Sequence, residues 1–250
     1  MASVTQLHKP QPLLQEDFRH GYLKPMSYSM EDVSKAVVNH LNVQSSEHNL
    51  TPIQKSALER YRYGGTWNLG QPNSTQNIKK FFNEVYFNGI LTGFGSLELL
   101  SPENMIKRRG YTVHAFTELL MPGVEKDLRY KLKTPKAIII IENLDANEET
   151  YRKPNIRMQS YLDTLLHEML HAVFPILTCW CQFGCAGVHA NHGFQWQAAA
   201  LALEEADDSG NGLLRLGCDL DKSGIEAGRG EDLSSYKECD GSGGLWEEVE

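Results

Sequence analysis

Two histidines, His167 and His171, stand four positions apart, with Glu168 directly after the first. On an α-helix that spacing is just over one turn, so both imidazoles lie on one face and can close on a single metal ion. Two protein ligands leave a Zn²⁺ ion short of its usual four. Glu168 then falls beside the ion instead of on it, where a carboxylate can take a proton from a water that the metal activates. These residue types at this spacing point to metal-assisted hydrolysis.

The same pattern can arise as a buried structural pair of histidines on an amphipathic helix. Tyr161, Leu162, Leu165, Leu166, Met169, Leu170 and Val173 line the other faces of this helix, which predicts that its middle is almost wholly buried. Three polar side chains in such a place cost desolvation unless a metal or a partner compensates. That cost favours the metal reading.

A catalytic zinc takes a third protein ligand and keeps the fourth position for water. The candidates downstream are His189, His192 and Glu204. On one continuous helix His192 and Glu204 would lie about 18 Å apart, so they cannot share an ion. His192 is favoured because it precedes a helix able to pack beside the first. His189 lies in a Gly-rich loop, and Glu204 is the carboxylate alternative.

The elements that must position these groups can be read along the chain. Residues 1–50 are polar and mixed in charge, with one short helix expected over Glu31–Leu41 and Ser29 as its cap. Thr51–Tyr63 reads as a second helix with Pro52 at its start, and Gln71–Asn73 as a linker. From Ser74 the apolar residues Ile78, Phe81, Phe82, Val85 and Tyr86 recur at helical spacing, and Asn88-Gly89 breaks the pattern. Short strands are expected at Leu97–Leu99 and Tyr111–Phe116, with the basic run Lys107–Arg109 in a solvated turn between them. Ala137–Ile141 contains four consecutive isoleucines and is the clearest strand, of the kind that is central or well covered. The motif helix should run from about Ile156 to Phe174 and end at Pro175. A last helix opens after His192-Gly193.

Composition bounds the rest. The 250 residues contain 41% hydrophobic side chains, enough for one well-buried domain with tails. The net charge is −8, and residues 204–250 alone carry 14 acidic and 4 basic side chains, a balance of −10. Such a tail is expected to be solvated and disordered, or to fold over a basic region such as Lys107–Arg109 and restrain activity. The remainder is close to neutral and has no overall nucleic-acid signature. No stretch approaches the ~18 apolar residues of a membrane span, and Met1–Phe18 lacks the apolar segment of a secretory signal. An intracellular protein, nuclear or cytoplasmic, with no membrane partner is expected. Among the 5 cysteines, Cys179, Cys181 and Cys185 crowd together. They are simple thiols by default, or with Cys218 a structural zinc site or a disulfide.

Three segments together resemble the SprT-like (Spartan-type) zinc metalloprotease domain. Phe82-Asn83-Glu84-Val85-Tyr86-Phe87-Asn88-Gly89-Ile90-Leu91 is similar to that family's opening F-N-x-x-Y-F-x-G-x-L segment. Thr164–Ala172 is similar to its catalytic helix, and His192-Gly193-Phe194-Gln195-Trp196 to its H-G-x-x-F segment, with Trp in place of Phe. The resemblance covers about half the chain and implies an α+β, zincin-like fold in which a small mixed sheet packs on the H-E-x-x-H helix. With the composition, the expected organisation is a leader over 1–72, partly helical or disordered, a protease domain over 73–205 and an acidic tail over 206–250. It implies Zn²⁺ held by His167, His171 and His192, with Glu168 as general base and then general acid. It likens the isoleucine strand, Ile139, Ile140 and Ile141, to the edge strand along which family members lay an extended protein substrate. It also implies a role on DNA-associated or DNA-crosslinked proteins; a monomer is expected.

Two other functions compete with a zinc endopeptidase. One is a non-catalytic, zinc-stabilised interaction domain, and the other is a zinc peptidase of small peptides. Glu168 separates the first from an enzyme, because a structural site gains nothing from a carboxylate there.

Overall fold

The computed structural model describes residues 10–21, 23–43, 50–63, 72–111, 113–120, 134–144, 149, 152–180 and 192–208. In chain order these form α1 (Gln15–His20), α2 (Met30–Val43), α3 (Pro52–Tyr63), α4 (Pro72–Tyr86), β1 (Gly95–Leu100), α5 (Pro102–Arg109), β2 (Ala115–Leu120), β3 (Lys136–Glu142), α6 (Pro154–Leu177) and α7 (Phe194–Asp208). The architecture is mixed α+β. None of the described helices is long and apolar enough to cross a membrane.

The three strands form one sheet in the order β1-β3-β2, with β3 parallel to β1 and antiparallel to β2. The isoleucine run is therefore the central strand, as an uninterrupted apolar segment demands when both faces are covered. Its side chains divide by parity. Ile139 and Ile141 join the main core beneath α6, while Ile140 packs on the other face with Met105 of α5 and Phe116 of β2. The expected edge-strand role of Ile139, Ile140 and Ile141 is corrected by this topology. Both backbone edges of β3 are already paired, and all three side chains are buried.

Of the two outer strands, β1 has its free edge occupied. The carbonyls of Gly95 and Leu97, which point away from β3, accept from Lys79 Nζ and from Gln76 Nε2 (2.7 Å) on α4. Among the described residues, β2 has no such covering side chains. The pairing of the Glu142 N–H with the His114 carbonyl sets its alternation, so Ala115, Thr117 and Leu119 turn their backbone groups outward. The expected strand at Tyr111–Phe116 begins four residues late, because Gly110 (φ 84°) ends α5 and Tyr111 stays exposed. Lys107–Arg109 is the last turn of that helix rather than a solvated turn. Arg108 reaches Glu98 on β1 and, with two nitrogens, Glu118 on β2.

Over its described part the N-terminal segment docks on the rest of the fold. Val33, Ala36, Val37 and Leu41 of α2 lie in the same core as the α6 residues, and α2 packs directly on α7. Ser34 Oγ donates to the Gln195 carbonyl at 2.8 Å. Ser29 caps α2 as expected, its Oγ accepting the Asp32 N–H at 3.0 Å. The same segment explains why α6 continues through Pro175 for almost another turn. The Met26, Ser27 and Tyr28 amides donate to the Ile176 and Leu177 carbonyls at 2.8–3.1 Å, satisfying groups that a helix end leaves orphaned. Helix α4 starts at Pro72, two residues before Ser74, so Pro72 and Asn73 of the expected linker are helical. The acidic tail beyond Asp208, together with Cys181, Cys185 and Cys218, lies outside the described residues, while Cys179 is buried beside Tyr28.

Candidate metal centre

Helix α6 carries His167, Glu168 and His171 on consecutive turns at the point where it crosses the sheet. Leu165, Leu166, Met169, Leu170, Ala172 and Val173 are all buried around them, which fixes the rotation of the helix. The two histidines are half-buried, so they look into the site from the boundary of the core. The third histidine arrives from 21 residues downstream of His171. His192 lies two positions before α7 with a left-handed backbone (φ 55°), an uncommon conformation for a residue with a side chain. Gln197 on the first turn of α7 holds it there, Nε2 donating to the His192 carbonyl at 2.8 Å.

The three Nε2 atoms form a nearly equilateral triangle with sides of 2.9, 3.0 and 3.1 Å. A triangle of that size has its centre ~1.7 Å from each corner, close enough for the three nitrogens to hold one ion at metal–nitrogen bonds of about 2.0–2.1 Å. Each neutral ring can present only a lone pair or one N–H at Nε2, so N–H···N hydrogen bonds do not satisfy all three contacts together, whereas one shared cation would. The donor set suits zinc, copper, iron or nickel and does not select among them by itself. Among the described residues this is the group of His, Cys, Asp and Glu side chains able to hold an ion. Glu204 lies along α7 and is not a member, and His189 is outside the described residues.

Trp196 forms the floor of the triad. Its buried indole stacks on His171 (22° between planes) and lies 4.4–5.1 Å from all three imidazole centroids. The sequence marks Trp196 as an apolar residue of the last helix, but nothing in its spacing says that it supports the histidines.

Glu168 takes a different direction from its neighbours. It is 6% exposed and points at β2, where Thr117 Oγ1 lies 2.8 Å from its Oε2 and 3.0 Å from its own backbone carbonyl. Burial pushes the carboxyl up to about 7, against the Thr117 hydrogen bond and the Arg109 guanidinium, which both pull it down. Arg109 itself is parked over the Phe116 ring, 4.6 Å from the centroid.

No family model, curated protein or solved structure matches the chain. The site therefore has to be read from its own chemistry. It brings together three imidazole nitrogens and an aromatic support beneath them, with a buried carboxyl on the residue next to His167. Ile139, Ile140 and Ile141 are not part of this assembly, since they lie inside the sheet. Thr117 is the contact of Glu168 that the sequence does not reveal, 51 residues from the glutamate it touches.

Proposed function

We propose that this chain is a zinc-dependent endopeptidase of the SprT-like type, with a zincin-like catalytic domain. The observation that carries the reading is the placement of Glu168, a buried carboxyl beside a three-histidine site. Bound zinc would supply Lewis acidity, polarising the scissile carbonyl and lowering the pKa of the attacking water. His167, His171 and His192 would hold the ion as neutral ligands. Glu168 would take the proton of the attacking water and then deliver it to the leaving amine nitrogen, which a carboxyl tuned near neutrality can do in both directions.

The substrate strand is proposed to lie along β2 rather than along β3. The outward groups of Ala115, Thr117 and Leu119 offer an edge beside Glu168, whereas the β1 edge is taken by Lys79 and Gln76. Pairing by backbone bonds selects for extended conformation more than for sequence. Protein substrates, including proteins attached to DNA, are the class that the SprT-like resemblance adds to this reading. An intracellular setting belongs to the same proposal.

The experiment is metal content and protein cleavage measured side by side for wild type and Glu168→Gln. Zinc at one per chain in both, with cleavage only in the wild type, is expected. Equal cleavage by both would remove Glu168 from the mechanism. Zinc in both with no cleavage, with or without single- and double-stranded DNA, would instead favour a zinc-stabilised interaction domain.

A further inference from the structure

We propose that Thr117 is the positioning residue of this site, its hydroxyl holding the Glu168 carboxyl and its backbone making that hold depend on the bound substrate strand. The proposal rests on the endopeptidase reading and deepens it.

Three features of Thr117 combine. Its Oγ1 lies within hydrogen-bond distance of two oxygens of one residue, Oε2 (2.8 Å) and the main-chain carbonyl (3.0 Å) of Glu168. A hydroxyl has one hydrogen to give and two lone pairs to receive with. It can donate to Oε2 while the carboxyl is ionised. A proton taken from water would settle on the other oxygen, Oε1, and Oε2 would then accept from the same hydroxyl as a neutral carbonyl oxygen. The same side chain thus holds Glu168 before and after proton transfer without moving a heavy atom.

The second feature is rigidity. Thr is branched at Cβ and restricted at χ1, so its hydroxyl is placed by the strand backbone rather than by a flexible tether. The third is where that backbone sits. Thr117 faces α6 with its side chain, in register with Ile139, while its N–H and C=O point to the outer edge of β2. A peptide that pairs with this edge would bond to the main chain of the residue whose side chain orients the general base. Binding energy from residues remote from the scissile bond would then appear as correct placement of Glu168, which is a gain in kcat rather than in KM.

A hydroxyl that merely helps β2 pack on α6 would give none of this dependence. The test uses Thr117→Val, which keeps the shape and removes the hydroxyl, Thr117→Ser, which keeps the hydroxyl, and peptides of increasing length around one scissile bond. We expect wild-type kcat to rise with peptide length. Thr117→Val should retain its metal and its melting temperature, lose about 10–100-fold in kcat with little change in KM, and lose the length dependence. Thr117→Ser should recover most of both. In metal-free crystals of Thr117→Val the Glu168 carboxyl should leave its place against β2, and in Thr117→Ser it should stay.

Wild-type kcat in Thr117→Val, or a Thr117→Ser as impaired as Thr117→Val, would overturn the proposal. Should Thr117→Val not fold, Thr117→Ala read against Thr117→Ser carries the same comparison. An active wild type with an inactive Glu168→Gln and a fully active Thr117→Val would sink the role of Thr117 alone. A wild type that cleaves nothing would sink the reading of the site and this proposal together.

Discussion

His40 should make the protein acid-sensitive. It lies on α2, buried against the Phe18 ring at 5.2 Å, and its Nε2 has no hydrogen-bond partner among the described residues. Burial, with the nearby Arg19 charge adding to it, pulls the imidazole from 6.5 down to about 4. The folded state therefore binds this proton less readily than the unfolded chain. The stabilisation is complete above the unfolded value of 6.5 and is lost as the pH falls toward about 4. The full difference corresponds to about 3 kcal/mol, of which roughly 2 should already be gone at pH 5. The assay is urea denaturation of wild type and His40→Leu at pH 7.5 and pH 5, with the same metal content in both. Protonation of the three clustered histidines is common to the two proteins and cancels in the comparison. Wild type should lose about 2 kcal/mol more than His40→Leu over that interval. Parallel losses in the two proteins would refute the claim that His40 is buried uncharged.

Three further substitutions probe the supports of the site. His171→Ala removes one corner of the histidine triangle and should weaken metal retention by more than the ~10–100-fold typical of losing a ligand's hydrogen-bond partner, measured by chelator competition. Trp196→Ala removes the buried floor and should cost about 3–5 kcal/mol in denaturant unfolding, with weaker metal binding as well. Leu41→Ala should cost about 2–5 kcal/mol, because α2 belongs to the core; no measurable cost would show that α2 adds nothing to it.

The parts of the molecule legible in the sequence are those where one local rule has no competitor. His167 and His171 share a helix face by spacing alone, and the isoleucine run of β3 has no polar alternation that would let it sit at a surface. Pro52 and Ser29 mark the starts of α3 and α2 by chemistry that acts within one turn. The misreadings come where distant segments decide. An amphipathic helix such as α2 looks the same in sequence whether it docks on α7 or floats in solvent. Pro175 normally ends a helix, yet here the amides of residues 26–28 satisfy the last carbonyls and the helix continues. The edge-strand role of Ile139–Ile141 came from resemblance rather than from the residues, and the burial pattern of those residues already argued for the centre of a sheet. Thr117 carried no local signal at all, since one threonine in a strand resembles any other until its partner is known.

The two halves of the site rest on different supports. The histidine triangle depends on α7, which positions His192 through Gln197 and lays Trp196 beneath the rings, and α7 is braced from behind by α2 through Ser34 and its apolar face. Glu168 depends instead on β2 through a single hydroxyl. Metal retention and catalytic placement should therefore respond to different perturbations. Loosening α2 with Leu41→Ala should lower metal affinity and leave the dependence of kcat on peptide length intact. Removing the Thr117 hydroxyl should do the reverse. If instead both substitutions altered both properties in proportion, α6 would be moving as one rigid body, and the division between ion-holding and proton-handling supports would be wrong.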